Sequence, residues 1–223
     1  MNKQGPGKID YCDFTSNPIS GCKHNCSYCY LKRQLWRRPN IFDPTWNENE
    51  YRKLLSRKKP CVIFMGDAGD MFGKWVPNEQ IEDIIINIFM KKPQITFLLL
   101  TKNPGRYSCY TFPMNVWIGT TFDGLPFTRR NIKKLSRHTH VNKWISFEPL
   151  KSQPTGIDLE FVRKIQWIVI GADSNRGVER PPISWGMRII RFAEICNIPV
   201  FVKDNWPELP RIKQTPWKLR NEP

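Results

Sequence analysis

The chain has 223 residues, 40% of them hydrophobic, and a formal net charge of +15 from 35 Lys and Arg against 20 Asp and Glu. This length and apolar content are enough for one substantial core. No apolar run reaches the roughly 18 residues of a membrane span, and the segment from Met1 to Asp10 is too polar for a secretion signal, so we expect a cytoplasmic protein. The positive charge favours a polyanionic partner, and nucleic acid is the first candidate.

Short β-branched and aromatic runs alternate with helical patterns along the chain. The predicted strands are Phe14–Ser20, Cys61–Met65, Ile95–Leu100, Val116–Gly119, Lys143–Phe147, Trp167–Ile170 and Val200–Lys203. The predicted helices are Tyr30–Arg37, Glu48–Ser56, Asn78–Met90, Thr128–Ser136, Asp158–Lys164 and Ser184–Ile195, the last with Ser184 as its N-cap. Several strands are apolar at nearly every position, as in parallel sheets that are covered on both faces.

This alternation predicts an α/β fold, namely a single-domain partial (β/α)6-7 barrel with mostly parallel strands. The predicted domain spans residues 1–223. Its core covers about 14–206, and a basic, proline-rich C-terminal tail follows at 207–223.

Three of the seven cysteines lie close together, at Cys22, Cys26 and Cys29. An odd count with such clustering does not fit a disulfide framework, and it favours metal binding. Three thiolates suit an iron–sulfur cluster and leave one of its four irons open to a small chelating molecule. The alternative is a structural zinc site, which would need His24 or Cys12 as a fourth ligand.

Polar residues follow one predicted strand after another. In parallel α/β barrels, functional groups lie at the carboxyl ends of the strands. The candidates at these ends are Gly66, Asp67, Asp70, Thr101, Lys102, Thr120, Glu148 and Asp173. A buried Glu148 needs a partner, for which Lys102 and Lys203 are the candidates.

The spacing Cys-x3-Cys-x2-Cys, with Tyr28 before the third cysteine, resembles the signature of the radical S-adenosylmethionine superfamily. The resemblance implies a [4Fe-4S] cluster on Cys22, Cys26 and Cys29, and S-adenosyl-L-methionine on its open iron. Reductive cleavage then gives a 5′-deoxyadenosyl radical, and a reductase or a flavodoxin- or ferredoxin-type protein donates the electron.

The strand-end positions, taken together with this cofactor, give the candidate site residues. The expected cofactor-binding residues are Tyr28, Gly66, Asp67, Asp70, Thr101, Lys102, Thr120 and Glu148, and the catalytic candidates are Glu148, Lys102 and Asp173. Members of the superfamily often carry a Gly-Gly-Glu-like segment that contacts the methionine amino group. Here the segment is Gly66-Asp67-Ala68-Gly69-Asp70, so Asp67 or Asp70 is expected to supply the carboxylate.

A narrower resemblance covers about residues 14–206. It rests on the segments Asn17–Pro18, 66–72, 100–104, 116–119, 146–150, 167–171 and 199–203. Together with the cysteine loop they are similar to a phage, bacterial and archaeal group described as a domain of unknown function, near the spore-photoproduct-lyase-like branch of the superfamily. Many members have Gly-Glu-Ser where this chain has Ala172-Asp173-Ser174.

We therefore expect a radical S-adenosylmethionine enzyme that acts on nucleic acid or a nucleotide-derived substrate, in modification or repair. The alternative is a non-catalytic nucleic-acid-binding protein with a structural zinc or redox-sensing metal site. Metal content and cleavage of S-adenosylmethionine separate the two.

Overall fold

The computed structural model describes residues 1–5, 7–34, 40–175 and 177–219. They divide into two compact units, Met1–Ile118 and Gly119–Pro223. The end of the predicted helix Tyr30–Arg37 and the last residues of the predicted tail lie outside the described residues. No described helix combines the length and the apolar character that crossing a membrane requires.

Unit 1 contains strands, helices and two non-α helical turns. In chain order its elements are β1 (Asn2–Lys3), β2 (Phe14–Ser16), β3 (Ile19–Ser20), α1 (Tyr30–Gln34), β4 (Thr45–Trp46), α2 (Glu48–Ser56), β5 (Cys61–Met65), α3 (Asn78–Ile84), a π turn (Ile85–Phe89), β6 (Ile95–Thr101) and a 3₁₀ helix (Pro104–Cys109). Strand β7 (Val116–Thr121) contains the boundary with unit 2.

The strands of unit 1 are mostly parallel. Their order is β1-β2-β5-β6, in which only β1 runs antiparallel to its neighbour. Phe14 pairs with Ile63, and Cys61 pairs with Ile95. The predicted strand Phe14–Ser20 is two strands, because Pro18 has no N–H for the ladder and the chain turns away to pair β3 with β4.

The core of unit 1 lies between the parallel strands and the helices that follow them. Ile63 of β5, Leu98 of β6 and Leu54 of α2 are fully buried. The ring centroids of Phe89, in the π turn, and Phe97, in β6, are 4.6 Å apart. The predicted helix Asn78–Met90 is an α-helix only as far as Ile84. It then widens into a π turn, closed by a hydrogen bond from the Met90 N–H to the Ile85 carbonyl. The wider turn keeps Ile85, Ile88 and Phe89 on the buried face.

Unit 2 has the same alternation of strands and helices. After β7 its elements are α4 (Pro126–Ser136), β8 (Lys143–Phe147), α5 (Gly156–Val162), β9 (Trp167–Ile170), α6 (Ile183–Ile195), β10 (Val200–Val202) and α7 (Pro216–Leu219). Strands β8, β9 and β10 pair in parallel, with Trp144 beside Trp167 and Val200 beside Ile168. The sequence-based prediction of a mixed α/β fold with mostly parallel strands is confirmed in each unit.

One predicted helix cap is wrong. Helix α6 begins at Ile183, one residue before its predicted start, and its N-cap is Pro182 rather than Ser184. Ser184 is therefore the second residue of the helix. The N-cap Pro182 makes no side-chain hydrogen bond to the first turn. The φ of Pro182, −54°, is close to the helical value, so the chain enters the helix without a change of this angle.

Glu50 of α2 joins this helix to β2 and to the amino terminus. Its carboxylate accepts hydrogen bonds from Ser16 Oγ at 2.9 Å and Lys53 Nζ at 2.8 Å, and it pairs with the ammonium of Met1. Burial alone would raise the pKa of Glu50, but these donors outweigh it and lower the pKa from 4.5 to about 2.

Because this pKa is lower in the folded chain than in the unfolded chain, the stabilisation is complete above pH 4.5 and is lost as the pH falls towards 2. We expect Glu50→Gln to lower the free energy of unfolding by about 1–3 kcal/mol at pH 7, and by much less at pH 3. Urea unfolding at both pH values measures this difference. An equal loss at both would show that the charge of Glu50 is not responsible.

Candidate functional site

The loop that carries the three clustered cysteines is held against the carboxyl end of β5. The Gly21 N–H donates to the Ala68 carbonyl at 3.0 Å, and the Asp70 N–H donates to the Gly21 carbonyl at 3.3 Å. Gly21 has a φ of +85°, and a Cβ there would lie 2.2 Å from the Asp43 carbonyl oxygen. Only glycine fits this position, so the entry of the loop is fixed by backbone contacts.

Cys22, Cys26 and Cys29 form no disulfide, and their side chains are half-buried. The pKa of Cys22 is raised to about 11, mainly by burial and further by the charges of Asp70 and Cys26. The backbone N–H of His24 and the charge of Lys102 act in the opposite direction. A bound metal cation would favour the thiolate form of Cys22.

The three thiols match an iron–sulfur cluster in donor type, in their spacing along the sequence and in access, but their side chains are not gathered around one point. Soft thiolates on one loop are the ligands of such clusters. Within residues 1–5, 7–34, 40–175 and 177–219, however, no three His, Cys, Asp or Glu side chains are grouped closely enough to hold a metal ion. Binding would therefore require the side chains of the loop to converge.

Asp70 is the centre of the polar network beneath this loop. Its carboxylate is buried and accepts hydrogen bonds from the Thr101 hydroxyl at 2.7 Å and the Lys102 N–H at 3.0 Å, at the end of β6. It also accepts from the Phe72 N–H at 3.0 Å and lies 2.7 Å from His24 Nε2. The network joins the cysteine loop to the ends of β5 and β6.

The electrostatics of Asp70 follow from these contacts. Burial by itself would raise its pKa, but the hydrogen bond and charge of His24, with the donors of Thr101 and Lys102, hold the pKa below its usual range. The His24 ring also contacts the Trp75 ring, with centroids 4.9 Å apart. His24 therefore lies between two of the cysteines in the sequence, and its ring contacts Asp70 and Trp75.

The zinc alternative assigned His24 or Cys12 as a fourth ligand. In the structure His24 contacts Asp70, and the buried Cys12 donates its thiol to the Ile9 carbonyl at 3.5 Å. Burial raises the pKa of the Cys12 thiol to about 12, which disfavours the thiolate that a metal needs. Both candidate ligands are thus engaged elsewhere.

Tyr28 of the cysteine loop contacts Lys102, and both side chains are half-buried. The Lys102 ammonium is 5.4 Å from the centroid of the Tyr28 ring, and its charge also acts on Cys22. The structure thus brings together the aromatic residue of the cysteine motif and the lysine that follows β6. A cation beside an aromatic face and a thiol offers a contact for an anionic group of a ligand.

Gly66 and Asp67 complete the group in unit 1. Gly66 has a φ of +82°, and its N–H donates to the Ser16 carbonyl at 2.9 Å. The carboxylate of Asp67 accepts from Asn17 Nδ2 at 2.6 Å, and burial raises its pKa despite this bond. Asn17 also accepts from the Ala68 N–H at 2.9 Å, so it orients this loop.

The remaining predicted residues belong to unit 2. Glu148 accepts from Lys203 Nζ at 2.5 Å and from Asn205 Nδ2 at 3.3 Å, which confirms Lys203 as its partner. A Cβ on Gly171 would lie 2.9 Å from the Glu148 carboxyl carbon, so this glycine makes room for the pair.

Asp173 and Thr120 have their own surroundings in unit 2. Asp173 pairs with Lys151 at 2.9 Å. Burial alone would raise the pKa of this carboxyl, but the donors of Asn175 and Lys151 hold it below its usual range. Thr120 is fully buried in β7.

Sequence reasoning did not assign roles to several of these partners. It missed the contacts made by Asn17, Trp75, Lys151 and Asn205, and it weighed His24 only as a zinc ligand. The Asn17-Pro18 pair and the position of His24 between two cysteines were visible in the sequence. Nothing in the sequence showed which side chains they would meet.

We therefore expect Asp70→Ala to leave His24, Thr101 and two backbone N–H groups without their acceptor, and to lower the free energy of unfolding by about 3–5 kcal/mol. Asp70→Asn keeps an acceptor and should cost less. The exposed Asp43, beside the same loop, provides the control: Asp43→Ala should change stability by at most about 0.5 kcal/mol.

Urea unfolding measures these differences, and hydrogen exchange of the amides from Cys22 to Cys29 tests whether the loop is released. A loss below about 1 kcal/mol for Asp70→Ala would show that the network does not hold the loop.

The chain matches one family of proteins. A family model described as "Protein of unknown function (DUF5131)" matches residues 6–216. No curated protein matches the chain. No solved structure matches it either.

Proposed function

The chain belongs to the DUF5131 family, and we propose that it is a radical S-adenosylmethionine enzyme. The observation that carries the proposal is the loop with Cys22, Cys26 and Cys29, which a buried carboxylate fastens to the carboxyl ends of parallel strands. Such ends are where α/β proteins place their reactive groups. A thiol loop with a fixed backbone and half-buried sulfurs matches what a cluster with one open iron requires.

The three cysteines would hold a [4Fe-4S] cluster. When bound, the cluster supplies the electron that cleaves S-adenosyl-L-methionine to methionine and a 5′-deoxyadenosyl radical. The chain's own contribution is to hold the loop, exclude water and orient the cofactor. The partial (β/α)6-7 barrel and the cytoplasmic location that the sequence predicts remain part of the proposal.

The residues of unit 1 divide into anchors and binding groups. Asp70 accepts from four donors, so we assign it and Thr101 to holding the loop. Asp67 is only half-buried, and we assign it to the methionine amino group. Lys102 would meet the methionine carboxylate, and Tyr28 and Gly66 would shape the space around it.

The sequence also assigns roles to polar residues that belong to unit 2. Thr120 and Glu148 are proposed cofactor contacts, and Glu148 and Asp173 are proposed to act on the substrate, together with Lys102. Glu148 pairs with Lys203 and Asp173 pairs with Lys151, and carboxylate oxygens at these positions can accept hydrogen bonds from hydroxyl or amino groups.

The proposed substrate is nucleic acid or a nucleotide-derived molecule. The net charge of +15 supports it, because positive surface charge raises the local concentration of polyanions. A reductase, flavodoxin or ferredoxin would supply electrons. The competing function, a non-catalytic nucleic-acid-binding protein with zinc or a redox-sensing metal, differs in metal content and turnover.

Anaerobic reconstitution with iron and sulfide tests the proposal. We expect a reduced-cluster electron paramagnetic resonance signal that changes when S-adenosylmethionine is added, together with 5′-deoxyadenosine in the same tube. The triple variant Cys22→Ala, Cys26→Ala, Cys29→Ala should lose the iron, the signal and the product.

The matched control is Cys61→Ala, Cys109→Ala, Cys196→Ala, which removes three cysteines outside the loop and should keep all three readouts. Equal iron content in the two triple variants would exclude the loop as the cluster site. Tightly bound zinc without any 5′-deoxyadenosine would favour the non-catalytic alternative.

A further inference from the structure

Helix α4 of unit 2 presents a row of cations on one side. Arg130, Lys133, Lys134 and the C-cap residue Arg137 are all exposed and are spaced by three and four residues. Residues at these intervals lie on the same face of a helix. These four residues are named the α4 stripe.

The opposite side of α4 is fixed to unit 2. Ile132 and Leu135 are fully buried. Arg129, the remaining cation of the helix, turns away from the stripe and pairs with Asp158, while its guanidinium also donates to the Gly124 carbonyl at 2.8 Å and Ser152 Oγ at 2.9 Å. The orientation of the helix therefore follows from its core and from Arg129, and the stripe is left to face outward.

The stripe has no counter-charge of its own. Helix α4 contains no Asp or Glu. The other cations of unit 2 that form ion pairs are Arg129, Lys151, Arg163, Arg180, Lys203 and Lys213. Across residues 119–175 and 177–219, none of the ion pairs includes a member of the stripe. Its one described side-chain contact is between Lys133 and the Phe161 ring, at 5.9 Å.

Further positive charge lies beyond the end of α4. The ammonium of Lys143 donates to the His138 carbonyl at 2.9 Å, just after the helix. Burial lowers the pKa of Lys143, and the charge of the exposed Lys164 lowers it further.

The helix dipole explains only part of this arrangement. It favours Lys133 and Lys134 in the last turn, but Arg130 lies a turn earlier. From Arg130 to Arg137 the stripe extends about 10 Å along the helix axis, at about 1.5 Å for each residue. Successive phosphates of a duplex strand advance by about 3.4 Å along its axis, so a linear stripe of this length faces about three of them.

We propose that the α4 stripe is a surface that binds the sugar-phosphate backbone of nucleic acid. The spacing of the four cations along α4 favours a polyanion whose charges repeat along a line, as the phosphates of a nucleic-acid backbone do. The inference deepens the proposed function, on which it rests only for the claim that the bound nucleic acid is the substrate.

The test compares two variants that lower the net charge equally. Arg130→Gln, Lys133→Gln, Lys134→Gln, Arg137→Gln removes the stripe. Arg52→Gln, Lys53→Gln, Arg180→Gln, Lys213→Gln removes two exposed arginines and two exposed lysines that are ion-paired with carboxylates. Fluorescence anisotropy then measures binding to labelled DNA and RNA oligonucleotides, single- and double-stranded, at several salt concentrations, with the protein lacking any cluster.

We expect the stripe variant to lose at least about tenfold in affinity. On duplex DNA, the slope of log affinity against log salt concentration should fall by about 3, because the stripe faces about three phosphates and each contact contributes about 0.9. The control variant should stay within about threefold of the wild type. Arg130→Lys, Arg137→Lys keeps the charge and should keep the affinity. Circular dichroism melting of each variant establishes that it is folded.

Wild-type affinity in the folded stripe variant, or an equal loss in the control, would overturn the proposal. So would tighter, stripe-dependent binding to phosphatidylserine vesicles than to any oligonucleotide. Production of 5′-deoxyadenosine is measured separately on reconstituted protein. Its absence together with stripe-dependent binding would contradict the proposed function alone, and its presence without such binding would contradict only this inference.

Discussion

The buried carboxylate of Asp70 is the interaction on which the arrangement of the candidate site depends. A charge in the interior is tolerated only when donors compensate for its lost hydration. Here the donors come from the cysteine loop, from the end of β6 and from the segment that follows β5. Satisfying one carboxylate therefore fixes three separate pieces of chain relative to each other. The position of the thiol loop therefore depends on the hydrogen bonds that compensate the buried charge of Asp70.

Backbone contacts supply the second constraint. Gly21 pairs with Gly69, and a Cβ on Gly69 would lie only 3.0 Å from the carbonyl oxygens of Gly21 and Ile19. This close approach lets the loop bond directly to the turn after β5 without help from side chains. The thiols remain half-buried while the backbone beneath them is held. A fixed frame with accessible ligands is the combination that a reactive cofactor needs.

The net positive charge separates into two populations in unit 2. Arg129, Lys151 and Lys203 face inward to carboxylates and hold loops or strand ends together. The α4 stripe faces outward with no carboxylate partner among the described residues. The net charge of the sequence counts all these cations equally. The paired cations are largely neutralised by their carboxylates, so the unpaired stripe contributes most to the positive potential in the surrounding solvent. The polar groups at the strand ends and the exposed basic helix are thus distinct features with different physical causes.

Much of the local structure followed from the sequence alone. Strands Cys61–Met65, Lys143–Phe147 and Trp167–Ile170 and helix Glu48–Ser56 have the predicted bounds, because apolar periodicity and caps act over a few residues. The Cys22–Cys29 motif and the polar strand ends were equally visible. Only the tertiary structure decided that His24 meets Asp70, that Lys203 meets Glu148, that α3 widens into a π turn and that Arg129 turns inward. Those outcomes depend on residues far apart in the chain competing for the same buried charges and space, which no local pattern records.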